Sequence, residues 1–160
     1  MRVIAAIDRY KSIQTDIVFL FVGFSPEQVK HIKKLYPTGY NFCRFIPYVS
    51  EEELIVLYKE SFCFIFPSIS EGFGYPPIEA MRQGTPVIAS AVTSIPEVCG
   101  DAAIYINPFS IGEIANRINM MLKDNALRKI EIFVSRLVEL AAAKYNSPTT
   151  MIDVYSFSIF

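Results

Sequence analysis

The chain has 160 residues, enough for one domain with a sizeable core. Apolar residues make up 52% and charged residues 19%, and 13 Phe and 9 Tyr favour strands buried on both faces. A formal net charge of -1, without blocks of like charge, argues against a nucleic-acid partner and against a charged disordered tail.

Cys43, Cys63 and Cys99 are odd in number and form no C-x-x-C, which fits a reduced, intracellular protein. Cys43 and Cys63 lie in apolar runs and read as core filler. No apolar run approaches the roughly 20 residues of a membrane span. Asp8 and Arg9 come too early for the apolar region of a signal peptide. The expectation is a cytoplasmic protein, with a peripheral membrane contact left open.

In chain order, Met1–Tyr10 is compatible with a strand or with the end of an amphipathic helix. Ile17 to Val22 predicts a buried strand closed by Gly23. Ser25-Pro26-Glu27 then opens a helix with Val29, Ile32 and Leu35 on one side, ended by Pro37 and Gly39. Phe42 to Ile46 predicts a second strand. Ser50 and Glu53 form a capping box for a helix whose apolar face is Leu54, Leu57 and Tyr58. Phe62 to Phe66 predicts a third strand, Pro76 to Arg82 a helix ended by Gly84, and Pro86 to Ala89 and Ala102 to Ile106 two more strands. Ser110 caps a helix through Leu122, a longer helix is expected from about Ala126 to Lys144, and Ser147-Pro148 begins a last short one. Such alternation means parallel strands with crossover helices, a doubly wound α/β sheet whose ligands bind beyond the carboxyl ends of the strands.

The stretch Phe66 to Ser90 carries the chemistry. Gly72 and Gly74 in Glu71-Gly72-Phe73-Gly74 let a ligand approach the backbone, and Tyr75-Pro76-Pro77 opens a helix whose N-terminus favours an anion. Glu71 and Glu79 bracket this loop, and carboxylates accept from the vicinal hydroxyls of a sugar or ribose. A phosphate with hydroxyls on both sides describes a nucleotide sugar. By pattern alone Glu79 could equally complement the helix dipole and Glu71 be a solvated loop residue. The dinucleotide fingerprint and the P-loop are both absent. His31 on a Lys-rich helix reads as a surface residue, and Ser68, Ser70, Ser90 and Ser94 have no triad partner in the pattern. Ser94-Ile95-Pro96-Glu97 reads as a short helix start, with Glu97 capping rather than binding ligand.

The segment EGFGYPPIEAM, followed by RQGTPVIAS and SIPEVCGDAAIYINP, resembles the retaining family-4 glycosyltransferases, over about Met1 to Tyr155. Their nucleotide-sugar half carries an E-x7-E motif, matched here by Glu71 and Glu79. The resemblance implies a Rossmann-like domain, one half of the two-domain GT-B fold, at residues 1–145, with 146–160 a tail or short helix. It implies that Glu71 is the catalytic-site carboxylate on the donor sugar's hydroxyls. It implies that Gly72, Phe73, Gly74, Tyr75 and Pro76 line the sugar and pyrophosphate, and that Glu79 binds the ribose. Ile46, Pro47, Tyr48 and Val49 would lie near the base, although Pro47 stands where the family often has Gly.

The family's Arg and Lys that neutralise the diphosphate precede the first helix of this domain, where this chain begins. The acceptor-binding half is absent as well. The expectation is therefore half an active site, inactive in hexosyl transfer when isolated. The motif's wording leans towards mannosyl- and related hexosyltransferases of polysaccharide or lipopolysaccharide synthesis. The implied partners are a nucleotide-sugar donor and, through the other domain, a glycan or lipid-linked acceptor at the inner face of the membrane. No cofactor and no metal are expected, since no Asp-x-Asp occurs. The alternative reading is a non-catalytic nucleotide-binding remnant of a split or truncated gene. A glycoside hydrolase using both glutamates would need them ~5–9.5 Å apart across a walled sugar cleft, which a single small domain does not supply.

Overall fold

The computed structural model describes residues 1–9 and 18–123. Arg2–Arg9 is a helix, α1, which resolves the ambiguity at the N-terminus. Val3 to Ile7 are all buried, because α1 packs between neighbours rather than on one face of the domain. Its apolar run is only five residues long, between Arg2 and Asp8, too short for its period to tell a helix from a buried strand.

The other elements follow the predicted order with shorter strands. They are β1 (Phe19–Val22), α2 (Pro26–Leu35), a one-turn α3 (Pro37–Tyr40), β2 (Cys43–Ile46), α4 (Glu51–Glu60), β3 (Phe64–Phe66), α5 (Tyr75–Arg82), β4 (Val87–Ser90), α6 (Ile95–Cys99), a 3-10 turn (Gly100–Ala102), β5 (Ile104–Ile106) and α7 (Ile111–Lys123). The long helix expected from Ala126 and the last short one lie outside the described residues. Two further details differ from the sequence reading. Leu35 is exposed, so α2 seats only Ile32 fully in the core. Pro37 and Gly39 do more than stop α2: they belong to α3, with Pro37 in its first turn.

Capping chemistry explains several boundaries. Ser25 and Gln28 form a reciprocal capping box on α2, as Ser50 and Glu53 do on α4. The Ser110 hydroxyl accepts from the Glu113 amide at 3.2 Å and opens α7.

All strand pairs are parallel. β1 ladders to β2 with Phe19 opposite Cys43, and β4 lies between β3 and β5 with Ile88 opposite Ile65 and Ile104. One continuous sheet was expected. The described strands instead form a two-stranded and a three-stranded piece, and no ladder joins β1 to β3. The order 3-2-1-4-5-6 puts a strand between those two, and the one segment whose composition could have served, Arg2–Ile7, is helical here. Direct pairing of β1 with β3 does not occur either among the described strands.

Side chains of β4 alternate between two cores. Ile88 joins Ile4 and Ile7 of α1, Ile32 of α2, Cys43 of β2 and Ile114 and Ile118 of α7. Val87 and Ala89 join Tyr58 of α4, Ala80 and Met81 of α5, and Ile95 and Cys99 of α6. Helices thus cover both faces of β4, as a doubly wound architecture requires, and the first core ties the two sheet pieces together.

Candidate functional site

β3 ends at Phe66, and the chain crosses as an irregular loop to α5. The loop therefore lies beyond a strand's carboxyl end. Gly74 is the N-cap residue of α5 at φ +95, ψ 49, a left-handed conformation that a Cβ would strain. It brings no side-chain acceptor to the helix end. Pro76 and Pro77 have no N–H, so two donors that a helix N-terminus usually exposes are missing. That leaves the amides of Gly72, Phe73, Gly74 and Tyr75 as the donors at and before the helix start. None of these four donates a hydrogen bond among the described residues. The Phe73 and Tyr75 rings lie 4.6 Å apart, and both are exposed.

Glu71 is half-buried in the loop, and the Ser68 hydroxyl donates to its Oε1 at 2.7 Å. Glu79 is half-buried one turn into α5, where the Tyr58 hydroxyl of α4 donates to its Oε2 at 3.4 Å. Burial raises the Glu79 carboxyl above its usual value; the Tyr58 bond pulls it down, Glu51 pushes it up and Arg82 pulls it down. Burial also raises the Tyr58 phenol, reinforced by Glu79. The two glutamates are thus held by different neighbours, one within its own loop and one against α4.

The base-proximal segment follows β2. Ile46 is the last residue of that strand, Pro47 and Tyr48 are exposed, and Val49 is half-buried. The Tyr48 ring lies over Gly23, 3.8 Å from where a Cβ would stand, so the ends of β1 and β2 meet there. A hollow of about 510 Å³ is lined by Phe24, Pro26, Val29 and Tyr40 and reaches Ile46 and Pro47 but neither glutamate. It lies against α2, whereas Glu71 and the four amides lie after β3, from the loop into the start of α5.

The pattern missed the partners. Tyr58 precedes Glu79 by 21 residues, and only the packing of α4 on α5 joins them. Ser94 reaches the loop itself: its hydroxyl lies 3.0 Å from the Phe73 carbonyl. Ser90 is buried as the last residue of β4, and its hydroxyl donates to the Phe66 carbonyl instead of facing a ligand. His31 is exposed, as expected. Among the described residues no helix is long and apolar enough to cross a membrane.

Known proteins share both the sequence and the fold. The chain is 42% identical over 93 residues to the O-antigen chain mannosyltransferase B of Escherichia coli, a span that is 58% of this chain and 24% of that protein. It is 48% identical over 64 residues to the O-antigen chain mannosyltransferase RfbU of Salmonella typhimurium, covering 40% of this chain and 18% of that one. The fold matches that of WaaG, a glycosyltransferase involved in lipopolysaccharide biosynthesis, with a TM-score of 0.74 at 20% identity over 86% of this chain and 38% of that one. A glycosyltransferase from Rickettsia africae gives a TM-score of 0.75 at 22% identity, covering 88% and 38%. The chain thus spans well under half the length of each. A family model, that of the glycosyl transferases group 1, matches residues 1–132, and with a match of that extent the chain belongs to this family.

Proposed function

We propose that this chain forms the donor-binding half of a retaining glycosyltransferase that moves a hexose from a nucleotide sugar to a glycan or lipid-linked glycan. One observation carries the reading: the amides of Gly72 to Tyr75, which meet no acceptor among the described residues, run from beside Glu71 into the first turn of the helix that bears Glu79. The amides take the diphosphate oxygens, Glu71 the sugar hydroxyls and Glu79 the ribose, while the Ile46–Val49 segment receives the base. The curated relatives named above are mannosyltransferases, which makes mannose the sugar to test first. The nucleotide sugar is a substrate, and the site as read needs no resident cofactor or metal. In the cell, this activity places the enzyme in the cytoplasm at the inner face of the membrane, where lipid-linked acceptors are within reach.

Gly72→Ala tests the loop without disturbing the fold. A Cβ at Gly72 meets nothing within 4 Å, and its φ is not in the left-handed range. The variant should keep its midpoint of unfolding and lose affinity for nucleoside diphosphates in calorimetry, because the methyl group stands where the diphosphate approaches. Glu79→Ala removes a hydrogen bond to a charged group, at about 1.5–3 kcal/mol or roughly tenfold to a hundredfold in affinity. A wild-type chain that binds no nucleoside diphosphate of any base would sink the reading. So would wild-type affinity in both variants.

A further inference from the structure

We infer that Ser94 is a positioning residue that sets the direction of the Gly72 and Gly74 amides; this rests on the donor-binding reading above. Ser94 occupies the N-cap position of α6, where a serine ordinarily turns its oxygen back onto the helix's own amides. Ser25, Ser50 and Ser110 do so in this chain. Ser94 does not. Its backbone is in the helical region, at φ -76 and ψ -14, and its side chain makes no capping bond. The hydroxyl donates instead to the Phe73 carbonyl at 3.0 Å and also lies 3.3 Å from the Glu71 carbonyl, one proton shared unequally by two acceptors.

The preceding residue shows what this arrangement costs the backbone. Thr93 has φ +56, the one positive φ outside glycine among the described residues, and β-branched residues seldom adopt it. The same two segments also approach closely at Gly74, where an added Cβ would lie 3.4 Å from Ile95 Cγ1. The turn Thr93–Ile95 and the loop Glu71–Gly74 are therefore interlocked at two points.

The geometry of the peptide bond turns this clamp into a functional device. In a trans peptide the carbonyl of one residue and the N–H of the next point in opposite directions. Drawing the Glu71 and Phe73 carbonyls towards Ser94 turns the Gly72 and Gly74 amides away from it, towards the opposite side of the loop. Two amides held on the side of the loop away from Ser94 are donors that a diphosphate can accept from. Ser94 thus touches no donor atom itself and acts through the backbone of its neighbours.

Ser94→Ala, compared with wild type and Ser94→Thr, tests the assignment. Backbone ¹⁵N relaxation should show Gly72 and Gly74 falling from the rigid range, order parameter about 0.85, towards the flexible range below about 0.6. Calorimetry with nucleoside diphosphates should show about tenfold weaker binding, the loss of one ordinary hydrogen bond. Ser94→Thr, which keeps the hydroxyl, should restore both. Wild-type relaxation at these two glycines or wild-type affinity in Ser94→Ala would overturn the proposal and leave the donor reading standing. A wild-type chain that binds no nucleoside diphosphate would overturn the donor reading and this inference with it.

Discussion

Glu79 carries a pH signature as well as a proposed contact. Burial lifts its carboxyl above the usual 4.5, so the folded chain holds that proton more tightly than the unfolded chain does. The contribution to stability is then full below about pH 4.5 and is lost as pH rises through the raised folded value. Glu79→Gln removes the titration while keeping an oxygen for Tyr58. In chemical denaturation the variant should gain stability relative to wild type between pH 4 and pH 7, and it should bind nucleotide less well. A constant difference across that interval would contradict the assignment. Two thiols give a second residue-scale expectation. Burial raises Cys43 to about 12 and Cys99 to about 11, and the Cys43 thiol also donates to the Gly39 carbonyl. Thiolates are the reactive species, so iodoacetamide at neutral pH should label neither residue until the chain unfolds, as read by mass spectrometry. At this scale the sequence revealed Glu71 and Glu79 through their spacing on a loop and a helix. It could not reveal Tyr58 or the clamp of Ser94, because contacts 21 residues apart exist only once α4 packs on α5 and α6 on the loop.

Among elements, α1 and α3 approach closely at Gly39. Gly39 reads in the sequence as a helix breaker, yet its role is steric. A Cβ there would stand 2.8 Å from the Ile4 carbonyl oxygen and 2.9 Å from the Asp8 nitrogen, both backbone atoms that cannot swing aside. The Asp8 carboxylate meanwhile accepts from the Gly39 amide at 2.7 Å and fixes the register of the two helices. Gly39→Ala should therefore destabilise by about 1–3 kcal/mol, the usual range for overpacking, seen as a lower denaturation midpoint with an unchanged slope. An unshifted midpoint would mean that α1 and α3 are not in contact in solution. Helix starts were readable because a cap is local chemistry within four residues, as Ser25, Ser50 and Ser110 show. Strand ends were not. Phe62 and Phe42 are as apolar as the ladder residues beside them, and where a ladder stops depends on its partner strand. The helical state of Arg2–Arg9 was hidden because its apolar run, Val3 to Ile7, is too short for periodicity to decide.

For the whole molecule, the break in the sheet implies uneven stability. β4 is paired on both sides, and all four of its residues are buried. Among the described residues β1 pairs with β2 alone in a two-stranded ribbon, and Leu20 on it is exposed. Two strands are marginal without support, so the β1–β2 piece depends on Ile32 and Cys43, which join it to the core shared with Ile88 and Ile106. Local openings span a range of free energies up to that of global unfolding, and the least supported ladder should open first. Amide hydrogen exchange should accordingly show the β4 amides protected to the global limit and the Phe19 and Phe21 amides exchanging through a smaller opening. Adding low denaturant should leave the β1 rates unchanged while the β4 rates climb, because exposing a two-stranded ribbon uncovers much less surface than unfolding the chain. Equal protection and equal denaturant response in β1 and β4 would mean that the two pieces open as one sheet. The division between them would then have no energetic counterpart.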